Sequence, residues 1–255
     1  MSDPQDHASK TKGMLWLTGA IVLGLGLAFG ITPLVRAIPW RWEVAIADRL
    51  PDLANSRQCK NQIADGLLQR IVARVFPIAA EDSRFTVSVR VVRNDAVNAY
   101  AALGGNITIN SGLLKAAQSP EEVAGVLAHE IEHIHHRHVL NGFVTNLITR
   151  EGLLYIFGAA SSADITRMFL NMRFSRQFEA EADEEGLRRL QRAHVDNRGF
   201  RDFFTRMRNT SAAEEFMSDH PSNQSRAEMA GRFRNADTVP LLSNEDWARV
   251  KTYCN

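Results

Sequence analysis

The run SPEEVAGVLAHEIEHIHHRH, residues 119–138, sets the architecture of this 255-residue chain. Ser119 is a good helix N-cap, Pro120 suits the first helical position, and Glu122 completes a capping box. Val123, Val126, Leu127, Ile131 and Ile134 follow at helical spacing and predict a buried stripe. Inside this helix, His129-Glu130-Ile131-Glu132-His133 is an HExxH match. Residues four apart lie ~40° apart around a helix and one turn along it, so both imidazoles reach one zinc ion from the same face. Glu130 then brings a carboxylate beside a water whose pKa zinc lowers toward ~7. That carboxylate takes the proton and passes it to the leaving amine, which is the chemistry of peptide hydrolysis.

Two histidines do not complete a catalytic zinc site; a third protein ligand is needed. The metzincin extension requires a glycine at 136 and a histidine at 139, where this chain has His136 and Val139. Glu132 points to another face of the helix. The better candidates lie in FSRQFEAEAD, residues 174–183. Glu179 and Asp183 are four apart and share a face, so one can bind zinc while the other accepts a hydrogen bond from a ligand imidazole. On chemistry alone, Glu181, Glu184 and Glu185 compete, and a charged helix surface is the plain alternative.

Working outward, Ser56 to Val75 predicts an amphipathic helix, with Ile63, Leu67, Leu68, Ile71, Val72 and Val75 on its apolar face. Phe85 to Val92 alternates as a strand. Asn98 to Ala102 and Ile107 to Asn110 predict two short strands around the Gly104-Gly105 turn. A second long helix is expected over Asp164 to Gln191. The apolar stretch Gly152 to Ala160 is too short to span a bilayer and reads as core, or as a flap or membrane-surface contact.

Toward the N-terminus, residues 13–35 carry no charge and exceed the ~20 residues that cross a bilayer as a helix. A cleaved signal peptide has a shorter apolar core of ~7–15 residues. Trp16 on one side, and Trp40 and Trp42 on the other, suit the two interfaces. The expected layout is a tail at 1–12, a transmembrane anchor at 13–35 and one soluble domain at 43–255. Lys10 and Lys12 before the span balance Arg36 and Arg41 after it, so the flanking charges do not fix its orientation. Cys59 and Cys254 either form a disulfide in an oxidising compartment or remain two free thiols. The expected side for the domain is non-cytoplasmic, of periplasmic type.

Composition narrows the function classes. Lys plus Arg number 30 against 29 Asp plus Glu, which argues against a nucleic-acid binder working through bulk charge. Hydrophobic residues make up 45%, enough to exclude disorder as the main description. With two cysteines, a disulfide scaffold and a cysteine-based zinc knuckle are both excluded.

HExxH followed at a distance by Ser-Arg-x-x-Glu-x-x-Ala-Asp resembles the HtpX-like metallopeptidases, a superfamily that also holds the CAAX prenyl proteases and the OMA-type and BepA-type envelope proteases. The residues carrying the resemblance are His129, Glu130, His133, Ser175, Arg176, Glu179, Ala182 and Asp183. It implies a zincin-type (gluzincin) fold of the α+β class, mostly helical with a small sheet, preceded here by one transmembrane helix. It implies one zinc per chain held by His129, His133 and Glu179, with Glu130 as base and Asp183 behind a ligand. AYAALGGNITINSGLL resembles the family's strand-Gly-strand segment, which implies that Asn98, Ala99, Tyr100 and Ala101 pair with an extended protein or peptide substrate. Asp219-His220-Pro221 with Arg226 resembles the family's His-Pro segment, which implies that His220 and Arg226 stabilise the oxyanion. Prenyl proteases and HtpX carry several spanning helices. This chain carries one, which favours the single-anchor OMA-like or BepA-like type.

The function these readings imply is a membrane-anchored zinc endopeptidase acting on unfolded or misassembled proteins. The alternative is a non-catalytic, zinc-stabilised tethered binding or chaperone-like module. A latent enzyme, in which His220 or the Gly152 to Ala160 region blocks the open zinc position until substrate or stress moves it, is a third reading.

Overall fold

The computed structural model describes residues 31–50, 57–77, 85–147, 172–207, 220, 226–233 and 237–254. The chain divides into two units, 1–39 and 40–255. Among the described residues of the first is the short helix α1 (Thr32–Arg36), with Pro33 in its opening turn. No helix among the described residues is long and apolar enough to cross a membrane. The expected anchor falls outside the described residues except at 31–35.

The second unit is mostly helical, with a small sheet. In chain order it contains α2 (Trp40–Ala47), α3 (Gln62–Val75), β1 (Ser88–Val92), β2 (Ala99–Ala102), a 3-10 turn (Leu103–Gly105) and β3 (Asn106–Asn110). There follow α4 (Ser111–Ala116), α5 (Pro120–His135), α6 (His138–Leu147), α7 (Arg176–Arg192), α8 (Arg198–Met207), α9 (Arg226–Arg232) and α10 (Asn244–Lys251). The sheet order is β1-β3-β2, with β3 parallel to β1 and antiparallel to β2. β2 is therefore an edge strand.

The turn between β2 and β3 depends on glycine. Gly104 and Gly105 have φ of 74° and 82°, in the left-handed region that L side chains rarely adopt. A Cβ on Gly105 would also lie 2.0 Å from the Thr86 carbonyl oxygen.

α5 is the axis of the domain. Ser119 caps it, accepting from the Glu122 N–H at 3.3 Å. The Glu122 carboxylate reaches back to the Gln118 N–H at 2.8 Å. Every residue from Glu122 to Ile134 is buried, rather than the single stripe expected. The reason is that α3, α7, α8 and β2 pack around the helix on all sides.

Other expectations shift for local reasons. The first predicted helix begins at Gln62 rather than Ser56, capped by Asn61 accepting from the Ala64 N–H. The residues before it run beside β1, with the Cys59 N–H donating to the Val91 carbonyl. Ile63, expected on the apolar face, is 59% exposed, and Ala64 takes the buried position. The predicted strand at Phe85 begins only at Ser88, where its register partner Asn106 opens β3. Phe85 instead packs its ring on Trp40 and Phe76, at 4.4 and 5.2 Å between centroids. Trp40 is thus a core residue rather than an interfacial anchor, while Trp42 is 58% exposed. The second long helix begins at Arg176 rather than Asp164. Ser175 caps it, and residues 172–175 are non-helical. The stretch Gly152 to Ala160 lies outside the described residues.

Cys59 and Cys254 form a disulfide, with their Cα atoms 5.4 Å apart. It joins the segment entering α3 to the residues after α10, and these two helices also pack together.

Candidate metal centre

α5 carries His129, Glu130 and His133 into the interior, all three fully buried. α7 lies against it closely enough that a Cβ on Gly186 would sit 3.3 Å from the His129 backbone nitrogen. Glu179, Asp183 and Gly186 recur at helical spacing on one face of α7, so this close approach also delivers both carboxylates to α5.

Five distances define the cluster. His129 Nε2 lies 3.0 Å from His133 Nε2 and 3.2 Å from His220 Nδ1. Glu179 Oε1 lies 3.2 Å from His133 Nε2 and 3.4 Å from His220 Nδ1. Glu179 Oε2 lies 3.5 Å from His129 Nε2. Ligand bonds of ~2.0–2.1 Å in a tetrahedron give ligand-to-ligand edges of roughly 3.3 Å. The observed 3.0–3.5 Å brackets that value, so the four groups have the spacing of a zinc shell. A second observation agrees: Glu130 Oε1 is buried with no hydrogen bond among the described residues.

Supporting groups orient this set. His129 turns Nδ1 to Asp183 Oδ1 at 2.9 Å. Glu130 Oε2 accepts from the Ala101 N–H at 2.8 Å, which docks edge strand β2 beside the cluster. Phe174 stacks on His133 at 4.0 Å, and Phe204 lies 5.8 Å from His129.

Burial pushes the Glu130 carboxyl above its ordinary range, against the nearby imidazoles of His220 and His129. Burial also lowers His133, to about 3, against the pull of Glu179. Burial opposes charge on His129 as well, but Asp183 and Glu179 outweigh it and raise that group to about 10. For Glu132, burial is outweighed by His135, His136 and Arg189, which hold its carboxyl well below the usual range.

The structure brings together His129, Glu130, His133, Glu179, Asp183 and His220 from the sequence reading. Ala99 and Ala101 lie on β2, with Tyr100 between them. Asn98 is buried just before the strand, its side-chain oxygen accepting from the Ala99 N–H. Arg226 opens α9, but its side chain lies outside the described set. Glu132 turns away from the cluster to Arg189 Nε at 2.6 Å.

Sequence reasoning leaves His138 open between the surface and a place behind a ligand; in the structure it is buried with Nδ1 3.1 Å from His133 Nδ1. Five residues on along an unbroken helix it would face ~140° away. The helix breaks instead: Arg137 adopts φ 63°, and α6 restarts at His138. Arg137 is held there by Glu43 at 2.6 Å and by the Trp40 face at 4.0 Å. No signal in the sequence marks Arg137 as a left-handed residue.

The chain belongs to peptidase family M48, whose family model matches residues 62–232. It is similar to the mitochondrial metalloendopeptidase OMA1 of Arabidopsis thaliana, 34% identical over 162 residues, covering 62% of this chain and 33% of that protein. It is also similar to the beta-barrel assembly-enhancing protease of Escherichia coli K12, 28% identical over 183 residues, covering 63% of this chain and 37% of that protein. The chain therefore matches only about a third of the length of these relatives.

Proposed function

We propose that this chain is a membrane-anchored zinc endopeptidase that hydrolyses peptide bonds of unfolded or misassembled proteins. The supporting observation is the convergence of His129, His133 and Glu179 at zinc-shell spacing, with Glu130 beside them. These three residues would hold the ion. When bound, zinc supplies a Lewis acid that polarises a peptide carbonyl and acidifies water. Glu130 takes a proton on its buried carboxylate and delivers it to the leaving amine. Asp183 fixes the His129 ring through Nδ1. By family resemblance, an extended substrate pairs along Asn98 to Ala101, taking over the Ala101 N–H that Glu130 otherwise accepts. Main-chain pairing reads little of the sequence, which suits clients defined by being unfolded.

Residues 13–35 serve as the anchor and residues 43–255 as the peptidase domain, on the non-cytoplasmic side. The disulfide between Cys59 and Cys254 suits that side. Arg226, by family resemblance, acts with the substrate oxyanion.

A latent resting form is a second reading, favoured by one observation. His220 Nδ1 stands at ligand spacing from both His129 and Glu179. A catalytic zinc keeps one position open, and a fourth protein ligand closes it.

Metal analysis of the purified chain, paired with cleavage of unfolded casein before and after chelation, tests the proposal. One zinc per chain and cleavage restored by added zinc are expected. A metal-free folded chain, or cleavage indifferent to chelation, would overturn it.

A further inference from the structure

The imidazole that α6 brings back onto His133 has a chain of partners behind it. His138 Nε2 lies 3.2 Å from Glu181 Oε2. The other Glu181 oxygen lies 3.0 Å from His136 Nδ1, which fixes the carboxylate from the far side. Phe178 stacks on the His138 ring at 4.1 Å and 10° between planes, so the ring is also fixed in orientation.

The bonding directions follow from one requirement. His133 aims Nε2 at the candidate metal centre and must offer a lone pair there. A neutral imidazole with that lone pair carries its proton on Nδ1. The nearest acceptor for that N–H is His138 Nδ1, so His138 carries its own proton on Nε2 and donates it to Glu181. Metal-binding histidines are commonly oriented by a carboxylate on the second nitrogen. His129 follows that pattern directly, through Asp183. For His133, the carboxylate stands one imidazole further out.

We propose that His138 and Glu181 form a relay that sets the tautomer and aim of His133, making both of them positioning residues for the metal. This rests on the reading of His129, His133 and Glu179 as zinc ligands. Glu132, His135 and His136 form a second histidine-carboxylate cluster nearby. There Arg189 holds Glu132 Oε1 at 2.6 Å, while Oε2 faces His135 at 3.2 Å and His136 at 3.4 Å.

The test is zinc affinity of the full chain, measured by competition with a chromophoric chelator. His138→Phe keeps a flat ring against Phe178 and removes both nitrogens. Its zinc dissociation constant is expected to rise roughly 10–100-fold. His138→Asn keeps an acceptor at the Nδ1 position and is expected to recover most of that loss. Two-bond nitrogen-15 spectra of the zinc-loaded chain are expected to show His138 as the Nε2–H tautomer. Unchanged affinity in His138→Phe, or an Nδ1–H tautomer of His138, overturns the relay. If His138→Phe does not fold, the Asn variant and the tautomer spectrum decide. His133→Ala is the control. Zinc affinity that is undiminished in it condemns the metal-site reading itself. An intact control with an unaffected His138→Phe condemns the relay alone.

Discussion

His129 Nε2 and His220 Nδ1 lie 3.2 Å apart, although 91 residues separate them in the chain. That contact puts a loop imidazole into the shell that α5 and α7 build. If His220 closes the shell at rest, His220→Ala frees a position while three ligands remain. The expected result is retained zinc and several-fold faster cleavage of unfolded casein. A loss of more than about tenfold would instead assign His220 to the reaction itself, as an oxyanion partner.

Glu130→Gln removes the proton acceptor while keeping size and an oxygen to accept from the Ala101 N–H. Zinc content and melting temperature should hold, while the cleavage rate should fall roughly 10²–10⁴-fold. Steady-state rates beside metal analysis give the answer. Activity near wild type would remove Glu130 from the mechanism.

Arg137→Ala removes the cation 2.6 Å from buried Glu43 and leaves its carboxylate only the Gly104 N–H among the described residues. Breaking such a pair by removing one member costs about 3–5 kcal/mol. Denaturant unfolding should show a loss of that size. Zinc affinity should fall as well, because Arg137 makes the turn that returns His138 to His133. Full stability in this variant would show that the turn holds itself.

Removing the disulfide with Cys59→Ser and Cys254→Ser should cost roughly 2–5 kcal/mol. Added reductant should lower the melting temperature of the wild type toward that of the double variant. Coincident melting curves would show the bond to be energetically idle.

The HExxH helix was legible because its signals are local: a cap at Ser119, a proline at the first position, and histidines four apart. Glu179 and Asp183 were legible as a pair on one face of α7, but it was the family resemblance that chose Glu179 over Glu181, Glu184 and Glu185. What stayed hidden depended on tertiary pairing. β1 could not be shortened to Ser88 without knowing where β3 begins. The fate of Trp40 turned on Phe85 and Arg137, far away in the chain. His138 was visible as a residue but not as a partner, because the break at Arg137 is imposed by contacts with α2 rather than by a glycine or proline.

The bond between Cys59 and Cys254 also decides what a cut would look like. Any single nick between those two positions leaves both fragments tethered, and a non-reducing gel still shows one band. A cut on the N-terminal side of Cys59 is different in kind, because it separates the leading segment from everything that follows. Self-digestion by this chain would therefore be seen only under thiols, except where the cut falls before Cys59.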